Sequence, residues 1–463
     1  MTLVLVLVAG VLAAVGSAIV VFTRFDTDVV GVTSVFLALT FGLSARWIVA
    51  PFGAIGQPAV FVAGGCLWWW LVARLFRDPD LARRPDRTRA ALLSLWWFLL
   101  LTFVLSFTRP LTVFEANGSA RAMMLFSALF GVALLIGDGV TDRDRLDVLV
   151  DRLVTAAAFL AVIGIVQFVF GRDPWTAIDL PGLVLNRDTA SVGERAIFNR
   201  PFATALHPIE FGTVTAALLP LALHRGLHPT RGRGVIGRWA PVVLLGSAVP
   251  MSVSRSAVVS LVVGLLILAA RWSWERRAVM AVAGLGFVVW VWALVPGLLG
   301  TVLSLFENAG NDPSIQARTD RIPRVLALWE EYPWLGRGFG TYNIHDHFLL
   351  DNEIYGLLLD TGVIGLVVWA STMGAVCTLI LSATSRSDPA TRHLGGALVA
   401  CITALLASTG TFDAFAYRIL LGSLFVLMGC GMALRRLEQE ATVAATPTSR
   451  ASATDRAEGL TAR

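Results

Sequence analysis

Arginines, carboxylates and histidines gather at three places in this chain, each beside an otherwise apolar run. The first is Arg200-Pro201-Phe202-Ala203-Thr204-Ala205-Leu206-His207-Pro208-Ile209-Glu210, which sets Arg200, His207 and Glu210 at the mouth of an apolar segment. The second is Ser254-Arg255-Ser256, whose arginine is the only charge between positions 240 and 270. The third carries Arg318, Arg321 and Arg324, then Asp346, His347, Asp351, Asn352 and Glu353. Guanidinium forks bind phosphoryl oxygens bidentately and stay charged in a low dielectric, so several arginines together suit a pyrophosphate. A carboxylate or neutral imidazole beside them can take a proton from an attacking hydroxyl. Arg321, Arg324 and Glu330-Glu331 also fit the solvated face of a helix.

Other chemistries find less support. His345-x-His347 lacks a third ligand, so no metal is expected. The glycines at 336, 338 and 340 follow no strand and precede no G-K-[ST], which argues against a nucleotide. Cys66, Cys377, Cys401 and Cys430 all lie in apolar runs and read as packing residues. No serine-hydrolase elbow or H-E-x-x-H is present.

These groups must be held by a membrane-embedded frame. The 463 residues are 56% hydrophobic and only 15% charged, with a mean hydropathy of +0.72. Uncharged runs of roughly 15 to 22 residues recur, the length that spans a bilayer as helix. They fall near 3–22, 29–48, 54–75, 90–108, 122–138, 149–170, 206–224, 240–254, 256–270, 278–299, 354–381, 394–410 and 418–434, about 12 to 13 crossings. The chain has no lysine, and its arginines crowd the loops 77–89, 225–238 and 271–277. Positive-inside topology makes those loops cytoplasmic and explains the +5 charge without nucleic acid. The same count places the N-terminus outside and the C-terminal tail inside. The frame expected is an all-α polytopic membrane domain over 1–437, with a disordered cytoplasmic tail over 438–463.

Two outer connections, 171–206 and 301–352, are too long for turns. In the second, Thr319-Asp320-Arg321-Ile322-Pro323 has the composition of a helix start, and Ile322, Val325, Leu326 and Trp329 recur at helical spacing. Pro333 and Gly336-Arg337-Gly338-Phe339-Gly340 end that helix, so the connection is expected to be a folded wall. The run 240–270 lies between two cytoplasmic arginine clusters and must turn near Arg255. Each arm then spans roughly 22 Å of helix against about 30 Å of hydrocarbon. Arg255 is therefore expected below the outer surface, where an arginine is costly unless it faces a cavity or counter-ion.

Arg200 to Pro220, the Ser254-Arg255-Ser256 turn, and the series Arg318, Trp329, Tyr332-Pro333-Trp334-Leu335-Gly336-Arg337-Gly338-Phe339-Gly340, Asp351-Asn352 and Gly362-Val363-Ile364-Gly365 resemble the O-antigen ligase and polymerase family. The resemblance covers about 195–370. It implies a metal-independent, inverting glycosyltransferase of the GT-C type without nucleotide or other cofactor. Its partners would be a glycan donor on undecaprenyl diphosphate and a glycan or lipid acceptor, at the outer face of the cytoplasmic membrane. Carried over, Arg255 and Arg318 would hold the donor pyrophosphate, with Arg200 beside them. The ligases of the family usually place a histidine before the asparagine of the last motif, where this chain has Asp351. The base is then Asp351 itself or His347. His207, Glu210, Asn352 and Arg321 complete the candidate set. A transporter or flippase for an anionic lipid or solute would use the same arginines, but no internal repeat is evident.

Overall fold

The computed structural model describes residues 28–76, 86–185, 193–195, 198–229, 232, 234–307 and 313–445. The expected segment 3–22 lies outside them. Fourteen α-helices are described: α1 Val29–Gly42, α2 Pro58–Phe76, α3 Arg87–Ser106, α4 Val113–Gly139, α5 Arg143–Phe170, α6 Pro208–Leu227, α7 Val235–Met251, α8 Arg255–Ala269, α9 Trp274–Leu294, α10 Leu298–Glu307, α11 Pro313–Glu331, α12 Glu353–Thr384, α13 Pro389–Thr409 and α14 Arg418–Ala445. Two antiparallel pairs of very short strands, β1 Trp47–Ile48 with β2 Val184–Leu185 and β3 Gly193–Arg195 with β4 Phe198–Arg200, brace the long connection after α5. Among the described residues eight helices are long and apolar enough to cross a membrane, and four shorter apolar ones accompany them. The protein is an all-α, multi-pass membrane protein.

The helix ends follow local chemistry. Asp28, Asp86, Asp142 and Ser273 each accept a backbone N–H as N-caps, and Thr112 with Glu115 forms a reciprocal capping box at the start of α4. Buried phenylalanines join the inner helices, with Phe425 of α14 edge-on to both Phe126 and Phe130 of α4. Of the spanning windows, that of α14 is 94% buried and that of α9 only 6%, which puts α14 at the centre and α9 at the rim. Helix α4 packs on α14 and α2, while α6 packs on α7, α8 and α13.

Two expectations change. The connection helix α11 begins at Pro313, not near Thr319, so Pro323 lies inside it. Pro313 suits a first turn, where a missing N–H costs nothing. Its buried contact centres on Val325, packed with Leu350 and Leu359, while Ile322 and Leu326 stay exposed. Helix α14 also runs on to Ala445, past the boundary expected at 437. Ion pairs from Arg435 to Asp86 and from Arg436 to Glu440 support that extension, and 446–463 lie outside the described residues.

The glycine-rich run is laced onto a break in α12. Gly362 has φ 65° and ψ −170°, so the helix is interrupted there. The interruption leaves backbone groups that must find partners in a membrane protein. Leu359 and Asp360 carbonyls accept from the N–H of Arg337 (2.9 Å) and Gly338 (2.8 Å), and the N–H of Val363 and Ile364 donate to Pro333 (3.0 Å) and Trp334 (3.2 Å). The Asp360 carboxylate accepts from the N–H of Gly340 (2.8 Å) and Tyr342 (2.9 Å). A Cβ at Gly362 would lie 2.3 Å from the Trp334 carbonyl. Only glycine fits both the conformation and the approach. This lacing holds 332–352 above the start of α12.

Candidate active site

Among the described residues three that are not glycine have positive φ: Ala203 (55°), Val253 (45°) and Asp351 (53°). Ala203 and Asp351 fall within the first and third motifs, and Val253 immediately precedes the second. A left-handed valine is a true outlier, and such conformations persist only where surrounding contacts enforce them. At Ala203 the enforcement is visible. The Gln167 amide, fully buried, accepts from the N–H of Phe202 (3.0 Å) and Ala203 (2.6 Å) and donates to the Ala203 carbonyl (3.1 Å). Backbone strain of this kind clusters at active sites and ligand clamps, which makes the surroundings of these three turns the candidate site.

Contacts link the turns in a chain. Arg200 Nε donates to the carbonyl of Ser252 (3.3 Å), in the turn before Arg255. Arg255 opens α8, is half-buried, and its Nη1 reaches the Leu305 carbonyl of α10 (3.4 Å). The next residue, Ser256, accepts from the Thr411 hydroxyl (2.8 Å), on the connection between α13 and α14. On that connection Asp413 accepts from the N–H of Asn352 (2.9 Å). Beside Asn352, Asp351 Oδ2 pairs with Arg321 Nη1 of α11 (2.9 Å). The His207 ring lies 6.3 Å from that of Tyr417, which belongs to the same connection.

Electrostatics assign protonation roles. Burial, reinforced by the Arg200 guanidinium and opposed by Asp351, lowers His207 to about 4, so the ring is neutral. Its Nδ1 accepts from the Ile209 N–H (3.1 Å), capping α6, and the proton is therefore on Nε2. In this tautomer His207 donates a hydrogen bond and has no lone pair for a base. Burial and three nearby carboxylates, Glu210, Asp413 and Asp351, raise the Tyr417 hydroxyl, which stays protonated. Asp351 is two-thirds enclosed and salt-bridged through one oxygen, which leaves the other able to accept a hydrogen bond.

The remaining expected residues divide. Glu210 is consumed by structure: one oxygen accepts from Leu206 N–H (2.9 Å), the other from Ile419 (2.7 Å) and Leu420 (3.3 Å). Asn352 caps α12 through the Ile354 N–H (2.9 Å). His347 belongs to a second cluster. Its Nε2 accepts from Arg337 Nη1 (2.9 Å), and its ring stacks on Tyr342. Arg337 lies 3.6 Å from Glu115, which is itself clamped by Arg109. Burial and Arg337 hold His347 below the usual imidazole range. It does not share the Asp351 cluster, because its lone pair faces Arg337. Arg318 lies on α11, its side chain outside the described residues. Asp413, Tyr417 and Thr411 lie outside the set expected from the sequence, although with Arg418 they place polar groups in a short connection between two apolar segments.

Residues 240–370 match the family described as O-antigen ligase. This segment is similar to the O-antigen ligase family. The matched segment holds the Arg255 turn, α11, the glycine-rich run, Asp351 and the Gly362 break, whereas Arg200, His207 and the 411–417 connection come from flanking chain. Comparison with curated proteins finds no match. The O-antigen ligase family implies glycan transfer in surface polysaccharide synthesis, by proteins that act on lipid-linked glycans.

Proposed function

We propose that the protein moves a glycan from an undecaprenyl-diphosphate carrier to an acceptor hydroxyl at the outer face of the cytoplasmic membrane. The observation that carries this reading is the convergence of three strained turns, which bring Arg200, the Arg255 turn and the Arg321–Asp351 pair into one chain of contacts. Guanidinium groups on one side and a carboxylate on the other are the two halves of a displacement. Asp351 takes the proton of the acceptor hydroxyl. The hydroxyl oxygen bonds to the anomeric carbon as the bond from that carbon to the diphosphate oxygen breaks, inverting the carbon. The bonding pair leaves with the diphosphate, whose growing charge is met by Arg255, Arg200 and Arg318. His207 donates its Nε2 proton as a hydrogen bond to a diphosphate oxygen. Arg321 orients Asp351, and Asn352 fixes the first turn of α12 under it.

Purified protein incubated with lipid-linked oligosaccharide and no nucleotide tests the proposal. Longer lipid-linked glycans mark a polymerase, and transfer to a second molecule marks a ligase. No transfer, with movement of the lipid across vesicles, would replace the enzyme reading with that of a flippase.

A further inference from the structure

At the end of α6 away from His207, His224 and His228 stand one helical turn apart and meet His393 of α13. Helix α6 has 20 residues, so this cluster lies about 30 Å along the axis from the candidate active site. The His224 ring stacks on those of His393 and His228, with centroids 5.1 and 5.3 Å apart, and His228 meets His393 at 5.0 Å with the rings tilted by 51°. One nitrogen from each ring can be chosen so that all lie within 4.8 Å of one another. His224 and His393 are buried at 1% and 7% exposure. His228 Nε2 is buried and has no hydrogen-bond partner among the described residues. We propose that these three histidines form a binding site for a divalent transition cation of the zinc class, tying α6 to α13.

Ligand chemistry and charge both fit. Neutral imidazole is a favoured ligand of such ions, and three histidines leave a fourth position open. The neighbouring cations are balanced: Arg225 pairs with Asp147 and Asp151, Arg143 with Asp147, and Asp388 opposes Arg276 at His228. Tetrahedral coordination at about 2.0 to 2.1 Å needs nitrogens about 3.3 Å apart. The Nδ1 atoms of His224 and His393 are already at 2.9 Å, so His228 makes the larger approach.

Protons must be rearranged for the ion to enter. Trp272 Nε1 donates to His393 Nε2 (2.8 Å), which places the His393 proton on Nδ1, shared with His224 Nδ1. An ion that takes both Nδ1 lone pairs moves that proton to His393 Nε2. The Trp272 N–H then loses its acceptor and turns away. The indole, stacked on His393 at 5.9 Å, becomes a reporter of occupancy.

The test uses the full-length protein in detergent, stripped with chelator and titrated with Zn2+ alone by calorimetry. One equivalent should bind with a Kd of about 10 µM or tighter, weakened about tenfold or more by His228→Ala or His393→Ala and unchanged by His345→Ala. Zn2+ should alter tryptophan emission in the wild type and not in Trp272→Phe, which keeps all three ligands. Absence of saturable binding by the wild type overturns the proposal, as does wild-type affinity in His228→Ala. His228 is half-buried at a helix end, so its variant should still fold if His393→Ala does not.

Discussion

Asp351→Asn separates the two roles open to this carboxylate, the proton acceptor and the partner that merely steadies Arg321. Asparagine preserves side-chain size, keeps an oxygen for Arg321, and tolerates the φ of 53° at this position as readily as aspartate does. The backbone strain is therefore unchanged, which Asp351→Ala would not ensure. At 23% and 31% exposure, the Arg321–Asp351 pair lies between an exposed pair and an enclosed charged hydrogen bond. Those limits are about 0.2 to 1 and about 1.5 to 3 kcal/mol, so loss of the pair alone should cost about 1.5 kcal/mol, or roughly tenfold in rate. Loss of a general base costs about 100-fold to 10,000-fold. Turnover of a lipid-linked donor should thus fall at least about 100-fold in Asp351→Asn, with donor KM changed only a few-fold. His347→Ala should stay within a few-fold of wild type. The reasoning fails if Asp351→Asn loses only about tenfold, Arg321→Gln loses the same, and the double variant is no worse than either.

Three further outcomes are expected. Arg255→Lys should lose about 2 to 4 kcal/mol of transition-state stabilisation, roughly thirty-fold to several hundred-fold in kcat/KM, because an ammonium lacks the planar fork; near-normal transfer would place the donor elsewhere. Gly362→Ala puts a Cβ 2.3 Å from the Trp334 carbonyl at φ 65°, so folded yield and Tm should collapse; a normal elution profile and Tm would contradict the lacing of the glycine-rich run onto α12. His207 is neutral down to about pH 4 in the fold, against an ordinary value of 6.5. The unfolded chain therefore takes up its proton first as pH falls, and stability drains between pH 6.5 and about 4. His207→Asn keeps an N-cap acceptor without titrating, so the Tm of the variant should fall less over that window; parallel curves would remove His207 from the acid response.

The helices, and much of the candidate set, were legible in the sequence because a bilayer demands long uncharged runs. Each apolar segment expected within the described residues contains a helix, although 29–48 leaves it after Gly42 and 278–299 breaks between α9 and α10, and the turn at Ser252-Val253-Ser254 lies where the charge of Arg255 interrupts two short arms. Polar groups at segment mouths stood out for the same reason, since a charge beside hydrocarbon is conspicuous. Periodicity does not say which mouths meet. Tertiary packing alone separates Asp351, paired with Arg321, from His347, held by Arg337 only four residues earlier in the chain. Packing also turns Glu210 from a site candidate into a cap for α14, and brings in Asp413 and Tyr417 from a connection that looked ordinary. His393 joins His224 across 169 positions, a pairing that no local spacing encodes. Helical spacing is local and repeats every few residues, whereas the lone pairs, ion pairs and strained turns that define a site depend on which distant helices pack together.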